Sequence, residues 1–399
     1  MNGTGIATAT FEQVHPRTRI VSGVGSHRRL PELLADLGAS RVFVVCGRTV
    51  GAGPQMAAVR EALGGAVVGM FDGVRPQAGM ANLEEAAARL SESGADAVLS
   101  LGGGAAIDSA KFLILALSRT HPFEDYEVPK GQGREARPLR SLERTALPHI
   151  AIPTTAGSSS EIMPWAGIRD EARAEKMLFN DPLLVPDVAV LDPLLVVPTN
   201  ASLTASSGAT ALARAVEATY SRNRQPIADA YALQAMRLLT EGLPRAVADG
   251  TDLEARSATQ VGALLSGIAA NNAMVSLVHA VGHAVGGRYG LQHGIAHRIL
   301  LPPVSRLMLP TIGAAVIPLA QVLGVEDVTG DVAQTAAAAA QRVADVLDAL
   351  PMPRALRDVG VPREDIPDLV RTTEHEPMMA YCPRPVSTDE ITEILNSVW

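Results

Sequence analysis

Ala97-Val98-Leu99-Ser100-Leu101-Gly102-Gly103-Gly104-Ala105-Ala106-Ile107-Asp108-Ser109-Ala110-Lys111 decides how this chain is read. The first five residues read as a buried strand, three glycines turn it, and the continuation through Phe112 suits a helix. A glycine-only turn at such a junction lets backbone N–H groups approach a diphosphate, and the helix N-terminus favours negative charge. The spacing is not the dinucleotide fingerprint Gly-x-Gly-x-x-Gly, so a tight turn without a ligand stays open beside the nucleotide reading.

Outward from that stretch the first half repeats its pattern. Residues 41–45, 65–71, 149–153 and 188–193 read as further strands, and residues 56–63 and 83–93 carry helical spacing. Strand and helix in alternation predict a parallel sheet covered by helices. A second loop, Pro153-Thr154-Thr155-Ala156-Gly157-Ser158-Ser159-Ser160-Glu161, follows another strand end. Its hydroxyls suit phosphate or ribose contacts, although a polar loop capping a helix at Glu161 would look the same. Two such loops at strand C-termini favour a nucleotide, because ligands of open α/β sheets sit there.

From about Ala201 the texture changes to long Ala/Leu/Glu/Arg segments, at residues 203–222, 227–241, 253–270, 335–350 and 389–398. The fold class expected is therefore an α/β N-terminal nucleotide-binding domain with a parallel sheet, residues 1–198, followed by an all-α C-terminal domain, residues 199–399. A 399-residue chain with 47% hydrophobic and 3% aromatic residues must build its core from Ala, Val, Leu and Ile. Net charge −8 gives no electrostatic footprint for nucleic acid or an anionic membrane. Cys46 and Cys382 are too far apart in sequence to suggest a motif or a disulfide framework. The polar start of the chain has no signal-peptide pattern, and no apolar run is expected to reach the roughly 18 residues of a membrane span. The cytoplasm is the default compartment.

His279, His283, His293 and His297 place four of the nine histidines within nineteen residues, among small and apolar neighbours. Imidazoles concentrate this way to bind a transition metal or to move protons near neutral pH.

Taken in order, these segments resemble the iron-containing alcohol dehydrogenase family, which shares the dehydroquinate synthase-like architecture. Phe71-Asp72-Gly73-Val74-Arg75-Pro76, the glycine loop, Pro153 to Glu161, Asp187 to Pro198, the histidine segment and Pro383-Arg384-Pro385 carry the likeness. The resemblance implies NAD(P) bound by the first domain, a helical second domain, a catalytic cleft between them and a homodimer. The expected cofactor residues are Gly47, Arg48, Gln77, Gly102, Gly103, Gly104, Asp108, Lys111, Thr154, Thr155, Ser158 and Lys176. Members that prefer NAD carry an Asp after the first of these strands. Gly47 stands there with Arg48 beside it, which mildly favours NADP(H) over NAD(H), unless Gly47 is merely a turn glycine.

The resemblance also implies a metal held by one Asp and three His, and here the sequence departs from it. In Gly208-Ala209-Thr210-Ala211-Leu212-Ala213-Arg214, Thr210 takes the place of the Asp and Arg214 that of the first His; His279 and His293 keep the other two positions. A guanidinium is no ligand, and at ~4 Å and an effective dielectric of ~20 it repels a dication by roughly 8 kcal/mol. The expectation is no metal, with a rearranged site of His279, His283 and His293 as the alternative. Ser207-Gly208 and His293-Gly294-Ile295-Ala296-His297 look instead like maleylacetate reductases, metal-independent relatives, whereas Asp108 and the insert at residues 122–147 look like the metal-dependent branch.

The mechanism expected is hydride transfer from reduced nicotinamide to a small carbonyl compound, possessing a carboxylate by analogy with maleylacetate. Arg214 would stabilise the oxyanion or clamp the carboxylate, and His283, then His279 or His297, would supply the proton. The plainer alternatives are an Arg214–Glu217 salt bridge and a hydrogen-bonded core histidine at 297. Three rivals stand beside this reading: a metal-dependent dehydrogenase with altered ligands, a non-redox lyase, dehydratase or isomerase on the same scaffold, and a binding protein without catalysis.

Overall fold

The computed structural model describes residues 10–75, 79–128, 139–170, 175–326, 328 and 330–399, with the backbone alone for Glu175 and Lys176. Gln77 lies outside these residues, as do residues 129–138 of the expected insert and the side chain of Lys176. The chain packs as two units: residues 16–199, and residues 200–399 together with the described residues 10–15.

In the first unit the strands are β1 (Arg19–Ser22), β2 (Val42–Gly47), β3 (Val67–Val74), β4 (Ala97–Gly102), β5 (His149–Pro153), β6 (Trp165–Asp170), β7 (Glu175–Asn180) and β8 (Val188–Leu191). Six of them form one parallel sheet in the order β1-β8-β5-β4-β2-β3, while β6 and β7 make a separate antiparallel pair. The helices are α1 (Leu30–Asp36), α2 (Arg48–Gly51), α3 (Pro54–Leu63), α4 (Met80–Glu92), α5 (Gly104–Ser118) and α6 (Pro193–Val196). Alternate residues along each strand enter different cores. Val42, Val44, Leu99, Leu101, Ile150 and Ile152 pack on one face, and Phe43, Val45 and Val98 on the other. Burial on both faces explains why these strands read as unbroken apolar runs rather than alternating ones. With so few aromatics, three phenylalanines share one place: Phe112 stacks on Phe123 at 4.8 Å, and Phe179 lies 5.8 Å and 6.3 Å from them. Each such pair adds about 0.5–1.5 kcal/mol beyond area burial.

The second unit is helical: α7 (Ala201–Tyr220), α8 (Pro226–Ala248), α9 (Leu253–Ala273), α10 (Leu277–Tyr289), α11 (His293–Met308), α12 (Val316–Val322), α13 (Val332–Asp348), α14 (Ile366–Glu374) and α15 (Thr388–Ser397). Helix α7 is buried almost all round, which its alanines permit, and packs on α8, α9 and α11. The α11 backbone comes so close to α7 that a Cβ on Gly294 would sit 1.7 Å from the Ser206 carbonyl oxygen.

Four sequence expectations are corrected. The run His293–Val322 does reach the length and hydropathy of a membrane span; 56% of its apolar window is buried, and α11 packs on α7 and α13, as a core helix does. Glu161 does not open a helix but lies in a single 3₁₀ turn, Ser160–Ile162. Strand β1 and the β6–β7 pair were not anticipated, because β1 is a four-residue edge with only Val21 buried and β6 mixes Gly167, Arg169 and Asp170 among its apolar residues. His297, weighed as a satisfied core histidine, is fully buried, yet neither ring nitrogen has a hydrogen-bond partner among the described residues.

Candidate active site

The two loops read from sequence meet at the C-terminal ends of neighbouring strands. Gly102 of β4 pairs with Pro153 of β5, and the Thr154 N–H donates to the Gly102 carbonyl at 2.9 Å. Gly102 has φ 152°, a conformation that side chains disfavour, and a Cβ there would sit 2.8 Å from Ala106 Cβ. The contact continues along the loop: a Cβ on Gly103 would lie 3.1 Å from Thr155 Oγ1, and one on Gly104 2.7 Å from Ser158 Cβ. Helix α5 begins in this crease after Gly103, an N-cap residue without a side chain, and has no acid in its first turn. Its first N–H groups are therefore suited to an anion. Gly47 ends β2, the other neighbour of β4, and the exposed Arg48 follows.

Asp108 and Lys111, expected among the cofactor residues, also hold this part of the unit together. Lys111 is fully buried, and its ammonium donates to Ser160 Oγ (2.9 Å), Met163 O (2.7 Å) and Trp165 O (2.8 Å). Asp108 accepts from Ser160 Oγ and from the Gly167 N–H at 3.1 Å. Together they tie α5 to the 3₁₀ turn and β6. Burial brings the Lys111 ammonium down to about 8, against the pull of Asp108 and Glu161. The sequence hid this role because the partners lie some 50 residues downstream, at separations of 49–59.

In the second unit α10 and α11 gather the four imidazoles into a ring. Centroids are 6.2 Å apart for His279–His283, 5.6 Å for His283–His293, 6.0 Å for His293–His297 and 4.1 Å for His279–His297. A Cβ on Gly282 would come within 3.1 Å of His297 Nε2, so the small residue makes room for that ring. Arg214, from α7, is 5% exposed. Burial drives His279 well below the usual imidazole range, and the charges of His283, Arg214 and His293 add to the effect. His297 is lowered in the same way, by burial first and then by His279, His293, His283 and Arg214. Both rings are therefore held neutral. His283 differs: its side chain is 34% exposed and its Nδ1 lies 3.2 Å from Glu376 Oε2.

Two acids that sequence reasoning had not placed complete the cluster. Glu376 reaches His283 across 93 residues of sequence, beyond any local signal. Glu217, weighed above only as a partner of Arg214, accepts from the N–H groups of Ser276 (3.0 Å), Val278 (2.8 Å) and His279 (3.4 Å), and its other oxygen meets His279 Nδ1. Burial pushes its carboxyl up to about 7 while those N–H donors pull it back. The spacing Thr210, Arg214, Glu217 puts all three on one helical face, a signal that was available in sequence. Among the described residues no group of three or more His, Cys, Asp or Glu side chains is arranged to hold a metal ion, the alternative trio of His279, His283 and His293 included. Thr210 directs its hydroxyl to the Ser206 carbonyl at 3.4 Å.

Comparison with known proteins gives the same reading for both units. Residues 16–193 match the family described as iron-containing alcohol dehydrogenase, and residues 204–399 match the Fe-containing alcohol dehydrogenase family, C-terminal. The chain is 34% identical to the NAD-dependent methanol dehydrogenase of Bacillus methanolicus, over 94% of this chain and 97% of that protein. Its fold superposes on a 1,3-propanediol oxidoreductase with TM-score 0.89 at 28% identity, covering 98% of this chain and all (100%) of the other. Maleylacetate reductase from Agrobacterium tumefaciens superposes with TM-score 0.82 at 26% identity, covering 98% of each chain.

Proposed function

From the premise that the chain belongs to the iron-containing alcohol dehydrogenase family and is an NAD(P)-dependent oxidoreductase acting on CH–OH and C=O groups, we propose that it is a metal-independent reductase of a carbonyl substrate bearing a carboxylate. The observation that carries this is Arg214, a buried guanidinium on the helix face where the family resemblance puts metal ligands, beside His279 and His297, which burial first and its charge in addition keep neutral. The residues present do not fit the family's iron. Thr210 offers a neutral hydroxyl directed to a backbone carbonyl, and a fixed cation beside the imidazoles opposes a dication.

In this reading Gly102, Gly103, Gly104, Thr154, Thr155 and Ser158 would hold the cofactor. When bound, it supplies a hydride to the carbonyl carbon, and negative charge develops on the oxygen. Arg214 stabilises that charge or clamps the carboxylate. His283 delivers the proton to the oxygen, since it alone of the three candidate donors is both partly exposed and next to a carboxylate, Glu376. The absence of an acid at Gly47, with Arg48 following, supports NADP(H) as the preferred form.

The test is NAD(P)H oxidation over a panel of oxo-acids and matched simple aldehydes, with both cofactors. The expected result is a higher kcat/KM for oxo-acids with NADPH, reversed toward NADH in Gly47→Asp. Simple aldehydes reduced as well as oxo-acids would remove the carboxylate from the proposal, and a wild-type NADH preference would remove the Gly47 argument.

A further inference from the structure

Glu217 does more than fill space in the second unit. Its side chain is fully buried on α7, and it reaches across to Ser276 in the α9–α10 connection and to Val278 and His279 in the first turn of α10. That connection is awkward. The two helices bend by 103°, and Met274 between them has φ 65°, a left-handed conformation that a side chain adopts at a cost. Helix α10 has no side-chain cap from its own N-cap residue, Ser276. One oxygen of Glu217 fills that place, taking the N–H groups of Ser276, Val278 and His279 and the Ser276 hydroxyl at 3.4 Å. Its other oxygen meets His279 Nδ1. Burial raises this carboxyl to about 7, but three backbone N–H groups and the Ser276 hydroxyl all donate to one of its oxygens, a geometry made for the anion, and in that form Glu217 only accepts. The proton between Glu217 and His279 therefore belongs to the ring.

Resting on the reductase reading, we infer that Glu217 is a positioning residue: it locks His279 as the tautomer protonated on Nδ1 and presents Nε2 as a hydrogen-bond acceptor within the electrostatic reach of Arg214. The same lock removes His279 from the candidate proton donors and leaves that task to His283. The neighbours favour an acceptor. Arg214, His283 and His293 all oppose a further positive charge on this ring, and His297 is packed 4.1 Å from it. An orienting carboxylate behind an imidazole is a general device for fixing which nitrogen faces the chemistry.

The ring state can be read without substrate, from long-range ¹H–¹⁵N correlations of protein labelled in its histidine rings, at neutral pH. The His279 signals are identified by their loss in His279→Asn. The expected spectrum has a proton on Nδ1 and none on Nε2; a proton on Nε2 only, or on both nitrogens, overturns the inference. In Glu217→Gln the amide oxygen can keep the backbone donors while its NH₂ donates to Nδ1, so the ring proton moves to Nε2. There kcat/KM falls about ten- to a hundredfold, cofactor affinity stays the same, and Glu217→Asp recovers part of the loss. A folded Glu217→Gln with unchanged tautomer and turnover overturns the inference too. Should that variant not fold, the wild-type spectrum decides alone. A protein that reduced no carbonyl compound would sink the reductase reading and leave the tautomer result standing.

Discussion

Replacing Arg214 with methionine keeps most of the side-chain volume and removes the charge. Because Arg214 is only 5% exposed, water screens it weakly. A guanidinium about 4 Å from a developing oxyanion is worth about 4 kcal/mol at an effective dielectric of about 20. At about 1.36 kcal/mol per factor of ten, its loss costs about a thousandfold in rate. If the contact forms only in the transition state, kcat and kcat/KM fall together; if Arg214 clamps the substrate carboxylate throughout, KM rises and kcat holds. Steady-state NADPH oxidation over a range of oxo-acid concentrations separates the two. The change should also ease protonation of His279 and His297 somewhat, since burial is what chiefly lowers these rings and the Arg214 charge adds to it. A folded Arg214→Met protein with wild-type kcat and KM would refute the reasoning.

Other perturbations probe the parts separately. Gly104→Ala puts a Cβ 2.7 Å from Ser158 Cβ and should weaken NADPH binding about tenfold, read by fluorescence titration; unchanged affinity would take this crease out of the cofactor site. Gly294→Ala drives a Cβ to 1.7 Å from the Ser206 carbonyl, so urea unfolding should show a loss of about 3 kcal/mol or more. Wild-type stability there would mean that α11 does not sit against α7 as described. Arg384 and the Ser387 N–H hold the Glu390 carboxylate down at about 2, below its ordinary 4.5. A lowered folded-state value gives stability that is full above the unfolded value and is lost as pH falls through about 2. The Tm gap between wild type and Glu390→Gln should therefore be widest near neutrality and close in acid; a gap that grows on acidification contradicts it.

Much of the architecture was legible because the sheet is buried on both faces. Residues 41–45, 97–101 and 149–153 read as strands, with Gly47, Gly102 and Pro153 close at their ends. The glycine loop and the hydroxyl loop were legible as a pair for the same reason, since both follow such strand ends. What escaped depended on partners far along the chain. Lys111 reads as a cofactor residue, and only the fold shows its three hydrogen bonds going to Ser160, Met163 and Trp165. Glu217 and His279 are 62 residues apart, and only the turn between α9 and α10 brings them together. Arg214 stood out without any structure, because a charge in a run of alanines has to be paid for by something nearby.

The central claim is that protein groups, with Arg214 foremost, manage the charge that a metal would otherwise manage. Metal analysis of the purified protein, run beside NADPH-dependent turnover before and after chelation, tests it most directly. The account predicts iron and zinc far below stoichiometric amounts and turnover indifferent to the chelator. A tightly bound stoichiometric ion, whose removal abolishes turnover and whose return restores it, would contradict it.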